Sequence, residues 1–566
     1  MDDQKREDLL NLALEATEEE RKKSQELSLG YDRETKTWEL IVRYSGSLEP
    51  VRAMGADVEE LLGGYAVLVV PENLLDQVSA LSQIEYIEKP KRLFFALNQA
   101  RAASCLSPLQ DGGLGLGGEG ILVAVLDSGI DYFHSDFRKE DGSTRIRYLW
   151  DQSLDQVFNE EEINQALQEA DRRQAYLKVP SRDLSGHGTA VAGIAAGNGR
   201  ESQGRYRGVA WKSDLLVVKL APSGRDSFPG TAQLMRAVNF ALEKARDLAM
   251  PTAVNISYGN TYGSHDGTSL LETFLDSAAL QGRNVIVTGT GNEGAAGGHT
   301  GGVLAMGETA EIILSVSPFE TGFGVQLWKS YADDFQVWMT GPSGQMVGPF
   351  LPEPGAFRYG YEQTELLVYY GKPSPYSAAQ EIYVDFLPVE NYVNGGLWRI
   401  FLRPVRLASG RYDLWLPSYG ILNPATRFLY STPDTTLTIP STAARVISVG
   451  AYDARTGSYA DFSGRGYIRG GGHHKPDLAA PGVQINTVRA GGGYEEVTGT
   501  SFAAPFVTGT AALMMEWGIN QGNDLFLYGE KVKAGLIRGA RQLSGFARWP
   551  NPELGYGALC AADSLM

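Results

Sequence analysis

The hydrophobic pattern changes period along the chain, and each change marks a different kind of element. Residues 3–27 carry Leu9, Leu10, Leu12 and Leu14, then the charged run Glu18-Glu19-Glu20-Arg21-Lys22-Lys23. This predicts an amphipathic helix with a solvated end. Residues 38–44, 65–70 and 84–88 are strand-like, and residues 72–82 place Leu74, Leu75, Val78 and Leu81 on one helical face. Such elements predict a small α+β sandwich over residues 1–99. From Gly120 continuous apolar runs take over. Residues 121–130, 215–219, 253–259 and 284–288 predict buried strands, separated by helical patterns at 231–247 and 268–281. That alternation predicts an α/β parallel sheet with helices on both faces and chemistry at the carboxyl ends of strands.

Between residues 301 and 433 the α/β pattern breaks. Aromatic and β-branched runs at 311–316, 335–339, 366–370, 382–387, 398–402 and 411–416 are separated by Gly- and Pro-rich turns, with no long helical pattern. This predicts an inserted antiparallel β-sandwich or jelly roll. A rigid clamp is the preferred role for it, and carbohydrate binding through exposed aromatics is the alternative. Residues 445–450 resume the α/β core. The expected domains are therefore 1–99, 100–300, 301–433 and 434–566.

Composition narrows the class. A chain of 566 residues fits three or four domains at about 150 residues each. Its 50 Lys plus Arg against 67 Asp plus Glu give a net charge of −17, without basic clusters, which argues against nucleic acid or an anionic membrane as partner. No run of eighteen apolar residues exists to span a membrane, and the first residues lack a signal-peptide core. Cys105 and Cys560 are too few for a disulfide framework. The preferred reading is two buried small hydrophobes, and the alternative is one staple joining the chain ends.

Three segments carry candidate chemistry. Gly499-Thr500-Ser501-Phe502-Ala503-Ala504-Pro505 places a serine at the start of an apolar helix, which by itself an N-cap would explain. Residues 121–130 deliver Asp127 at a strand end, and Gly186-His187-Gly188-Thr189 opens another small-residue helix. Together they supply what acyl transfer needs. Ser501 is the nucleophile, His187 the base that takes its proton, and Asp127 the carboxylate that fixes the imidazole tautomer.

These blocks, with Gly289-Thr290-Gly291-Asn292-Glu293-Gly294 and Lys475-Pro476-Asp477-Leu478-Ala479-Ala480-Pro481-Gly482, resemble the subtilisin-like serine proteases (subtilases). The resemblance implies that the Asn292 amide and the Ser501 N–H bind the oxyanion. It also implies that Ser257, Tyr258 and Gly259 form one wall of the pocket for the residue before the scissile bond, with Thr288, Gly289, Thr290 and Glu293 as floor and rim. Polar Thr288, Thr290 and Glu293 then predict a preference for a small or polar side chain. Residues 1–99 are placed like the family's prodomain, a folding chaperone and inhibitor whose tail lies in the cleft. Residues 92–99 are expected to be extended, with self-cleavage between Gln99 and Ala100.

Asp136 matches a position that binds calcium in many subtilases, but Asn198-Gly199-Arg200-Glu201-Ser202 departs from the loop that completes that site. An ion pair or helix cap is expected for Asp136, and no metal or other cofactor. His473 and His474 would point apart on a strand, which argues against a metal between them.

The prodomain, residues 11–21 and 38–42, and the β insertion between Asn292 and Ser501 are similar to the Csp germination proteases of clostridial spores. That likeness implies activation of a spore-cortex lytic hydrolase zymogen, Csp-like pseudoproteases as partners, and a spore-associated, cytoplasmic or released location. Some Csp relatives lack triad residues; here all three are present. The alternatives are a non-catalytic signalling or scaffold subunit, or a general protease of a gut bacterium.

Overall fold

Strict alternation near the N-terminus becomes a sheet with one buried face. In the computed structural model, which describes residues 5–18, 21, 30–61, 64–89, 96–221, 229–353, 355–375 and 377–565, Thr37–Tyr44 buries Trp38, Leu40 and Val42 and turns Glu39, Ile41 and Arg43 outward. Its neighbour Tyr65–Pro71 buries Ala66, Leu68 and Val70. With Tyr31–Asp32, Asp57–Leu61 and Ile84–Glu88 they form a five-stranded antiparallel sheet. The N-terminal helix is shorter than expected, Asp8–Glu15, with Leu10 and Ala13 against that sheet's core; residues 22–29 lie outside the described residues.

The chain divides into the units Met1–Phe94 and Phe95–Met566, so the expected boundary at residue 99 moves. Ala96–Ala103 is a helix of the second unit, not an extended tail. Its Ala100 is fully buried, and the Arg101 guanidinium donates to Arg207 O at 3.0 Å and Gly208 O at 2.8 Å. Residues 92–95 of the expected tail lie outside the described residues.

The second unit is built on a nine-stranded sheet whose central strands are parallel. Leu122–Asp127 lies between Thr252–Ile256 and Asp214–Lys219, and Asn284–Gly289 follows Thr252–Ile256. Every residue from Leu122 to Asp127 is buried, because helices cover both faces. His187–Ala196 and Thr500–Met515 pack on one face; Thr231–Asp247 and Leu270–Ala279 pack on the other. The Thr252–Ile256 strand ends at Ile256, so Ser257, Tyr258 and Gly259 lie just beyond the sheet rather than within it.

The interruption is a second core. Two antiparallel sheets enclose Leu314, Val337, Leu366, Phe386, Trp398 and Leu402. One sheet runs in the order His299–Val303, Arg411–Trp415, Phe323–Ser330, Ala379–Pro388, Thr364–Tyr370, Gly355–Tyr361. The other runs Met346–Val347, Asp334–Thr340, Gly396–Arg406, Ala310–Val316, Arg427–Phe428.

Cys105 and Cys560 are not separate buried hydrophobes. They form a disulfide across a sequence separation of 455. The backbone around the bond is tied as well, since Ala561 N donates to Ser104 O at 2.8 Å and the Arg541 guanidinium donates to Ala103 O.

Candidate active site

Asp127, His187 and Ser501 each sit where an element begins or ends. Asp127 closes its strand, His187 is the first residue of a helix, and Ser501 lies in the first turn of another. The helix bearing His187 can approach the Asp127 strand only because residue 188 is glycine. A Cβ there would come within 2.3 Å of Gly129 O and 3.1 Å of Asp127 Cβ. The close approach puts His187 Nδ1 2.7 Å from Asp127 Oδ1, which also accepts Ser128 N at 2.7 Å. Asp127 is fully buried, and its Oδ2 has no hydrogen-bond partner among the described residues. Burial works against a charged imidazole, but the Asp127 charge and hydrogen bond, with a further contribution from Asp183, outweigh it. The His187 pKa is therefore raised above the ordinary histidine value.

Ser501 is held by Ser257. Pro505 has no N–H, so the Ser501 carbonyl lacks its usual helical donor. Ser257 Oγ supplies one at 3.1 Å and itself accepts from Asn255 Nδ2 at 2.9 Å; Asn255 Oδ1 accepts from Thr508 Oγ1 at 2.9 Å. In return Ser501 Oγ donates to Ser257 O at 3.3 Å. Among the described residues the hydroxyl thus donates to Ser257 O, and no hydrogen bond joins it to His187. The Phe502 ring lies 5.2 Å from the His187 ring and Tyr258 lies 6.4 Å from it.

Asn292 is exposed, and its Oδ1 accepts from Thr500 N at 3.1 Å and Thr500 Oγ1 at 3.3 Å. This leaves Nδ2 available as a donor beside the first turn of the Ser501 helix, where backbone N–H groups lack intrahelical acceptors. Gly291 must be small here. A Cβ would stand 2.4 Å from Thr438 Cγ2, and its φ of +85° is in the left-handed region.

The polar pocket expected from sequence is not built from the side chains named for it. Thr288, Thr290 and Glu293 are 1 %, 0 % and 7 % exposed. Thr290 Oγ1 pairs with Ser463 Oγ at 3.2 Å. Both Glu293 carboxylate oxygens face Tyr419 N of the β insertion, each at 3.0 Å. Burial pushes the Glu293 carboxyl up to about 7, with the Tyr419 bond opposing. Gly289 packs against the Ser501 helix, where a Cβ would meet Thr500 O at 2.9 Å. Tyr258 and Gly259 instead border a cavity of ≈ 490 Å³, lined also by Leu234, Leu270, Tyr262 and Pro440.

Asp136 does not fit a cation. It is fully buried, its Oδ1 accepts Glu201 N at 3.0 Å, and its Oδ2 accepts the Tyr494 hydroxyl at 2.8 Å. Of the two roles expected for Asp136, the cap role falls to His134, whose Nδ1 accepts from Asp136 N, while His134 Nδ1 also stands 3.8 Å from Asp136 Oδ1, an ion pair when that histidine is protonated. His473 and His474 are exposed on a loop, not a strand. No group of three His, Cys, Asp or Glu among the described residues could hold a metal. Sequence reasoning missed Asn255, Thr500 and Asp183, whose roles appear only through contacts distant in sequence.

Comparison with known proteins matches residues 4–91 to the Csp protease B prodomain and residues 118–380 and 430–557 to the subtilase family. The structure of the Clostridium perfringens CspB protease superposes with a TM-score of 0.78 at 37% identity, covering 82% of this chain and 96% of that one. The minor extracellular protease Vpr of Bacillus subtilis (strain 168) is 25% identical over 441 residues, 72% of this chain and 48% of Vpr. The PII-type proteinase of Lactococcus lactis subsp. cremoris is 24% identical over 473 residues, 74% of this chain and 23% of that protein. The chain thus spans half or less of the length of these two relatives.

Proposed function

We propose, from the premise that this chain belongs to the subtilase family of serine proteases and carries a Csp-type prodomain, that it is a serine endopeptidase acting on extended polypeptide. The observation that carries this reading is the 2.7 Å contact of His187 Nδ1 with buried Asp127, beside a serine on a helix N-terminus. When a peptide fills the cleft, Ser501 Oγ turns from Ser257 O to His187 Nε2 and attacks the scissile carbonyl. His187 takes the hydroxyl proton, and the buried Asp127 carboxylate stabilises the imidazolium. The negative charge on the former carbonyl oxygen is met by Asn292 Nδ2 and the Ser501 N–H. His187 then returns its proton to the leaving amine, and water hydrolyses the acyl-enzyme by the same route.

The same chemistry is proposed to cut the chain near Gln99, which requires the first turn of Ala96–Ala103 to open; burial in the second unit is already complete at Ala100. The match of residues 4–91 to a Csp protease B prodomain supports a spore-cortex hydrolase zymogen as the substrate. A fluorophosphonate probe tests the enzyme reading. Wild type freed of its prodomain should be labelled and Ser501→Ala should not. An unlabelled wild type would leave a non-catalytic subunit as the better account.

A further inference from the structure

Four residues before His187, Asp183 sits half-buried on the loop leading to its helix. Its Oδ1 accepts Ser128 Oγ at 2.9 Å, Ser185 Oγ at 3.2 Å and Gly186 N at 2.9 Å. Its Oδ2 accepts Thr189 N at 2.9 Å and Thr189 Oγ1 at 2.7 Å. Ser128 Oγ in turn accepts Gly188 N at 2.9 Å, and Thr189 Oγ1 accepts Asp131 N at 2.9 Å. One carboxylate therefore ties the residues following Asp127 to the first turn that carries His187, through residues that precede and follow the histidine.

Charge makes this more than a loop clasp. No Lys or Arg among the described residues forms an ion pair with Asp183. Lys219, whose stem passes the same Gly129 position, commits its ammonium to Asp151 at 3.2 Å. The groups facing His187 are Asp127 at 2.7 Å and the neutral Tyr258 ring at 6.4 Å; Glu495 approaches the Gly186 backbone. Asp183 thus places a carboxylate on the backbone turn that carries His187, which becomes an imidazolium when Ser501 gives up its proton.

We propose that Asp183 is a positioning residue for the proton transfer, fixing the His187 helix against the Asp127 loop and adding a second negative charge that favours the imidazolium. This rests on the serine-protease reading above, and the direction of the Asp183 effect on His187 agrees with it.

The test is the pH dependence of kcat/KM on a chromogenic peptide, measured on the processed enzyme for wild type, Asp183→Asn and Asp183→Ala. Asparagine keeps an oxygen acceptor but removes the charge. Without that charge the imidazole loses its proton more readily, so the acid limb should move to lower pH by about half a unit. The kcat should fall about tenfold with KM little changed. Alanine loses the clasp as well and should fall further; should it fail to fold, Asp183→Asn with an unchanged melting temperature still decides. An acid limb that stays in place in an active Asp183→Asn enzyme would overturn the proposal. A wild type without activity would instead overturn the enzyme reading beneath it.

Discussion

The two sides of the cleft are secured by different parts of the chain. On the His187 side the polar contacts stay within the α/β core, passing among Asp127, Ser128, Asp183, Gly188 and Thr189. On the opposite side the turns after the sheet strands are gripped by the β insertion. Thr261 Oγ1 donates to Leu416 O at 2.7 Å, Gly263 N donates to Gln326 Oε1 at 3.0 Å, and Ser377 Oγ donates to Asp266 Oδ2 at 2.7 Å. The buried His265 ring stacks on Trp415 at 4.2 Å, and the Trp415 ring also stacks with His299 at 4.7 Å. Glu293, next to Asn292, is held by Tyr419 N. His187 and Asp127 are organised by the α/β core itself, whereas the turns on the opposite side depend on an inserted domain. Changes in the insertion should therefore alter what is bound more than how the serine is activated.

Ser501→Ala removes the reacting atom and should lower peptide hydrolysis by at least about 10⁴-fold. Intact mass should then show one uncut chain, while wild type divides near Gln99. Equal processing in both would assign the cut to another protease. Trp415→Ala tests the contrast directly. Deleting this buried ring should cost about 3–5 kcal/mol of stability. It should raise KM for a tetrapeptide and leave the rate of fluorophosphonate labelling within about twofold. Matching losses in both assays would mean that the two sides are not separable.

Asn292→Ala lies on the boundary between the two systems and should reduce kcat by about 10²–10³ with KM nearly constant. A change confined to KM would remove Asn292 from oxyanion binding. The smallest effect is expected at Glu293, whose burial raises its carboxyl from 4.5 to about 7. The folded state holds that proton more tightly than the unfolded chain, so its stabilising effect is full below about pH 4.5 and is lost as pH rises through 7. Glu293→Gln mimics the protonated group. It should be more stable than wild type by roughly 2 kcal/mol at pH 8 and equal to it at pH 4. Melting curves that stay parallel at both pH values would contradict this.

Much of this arrangement was legible in the chain. Asp127 closes an apolar run, His187 and Ser501 open small-residue helices, and Asn292 lies in a glycine-bounded turn; each local pattern fixed where its residue falls in the sheet. The six runs named in the insertion became strands, but the pattern concealed Phe323–Ser330, the glycine-containing His299–Val303 and Gly355–Tyr361, and the two-residue strands Met346–Val347 and Arg427–Phe428. Illegible features were those set by distant partners. Glu293 looks like a pocket residue until Tyr419 is placed beside it. Thr290 is withdrawn by Ser463, and Ser501 Oγ is drawn to Ser257 O. The tail before Ala100 is apolar enough for a strand, yet it joins a helix whose Ala100 and Arg101 are buried in the second unit.

The Cys105–Cys560 bond turns most of the second unit into a covalent circle. A single nick anywhere inside the circle, in the β insertion for instance, opens a ring without releasing a fragment. A cut before Cys105, such as one near Gln99, frees everything upstream at once. On a non-reducing gel the two events therefore look opposite: damage within the enzyme stays at full length, and removal of the prodomain does not.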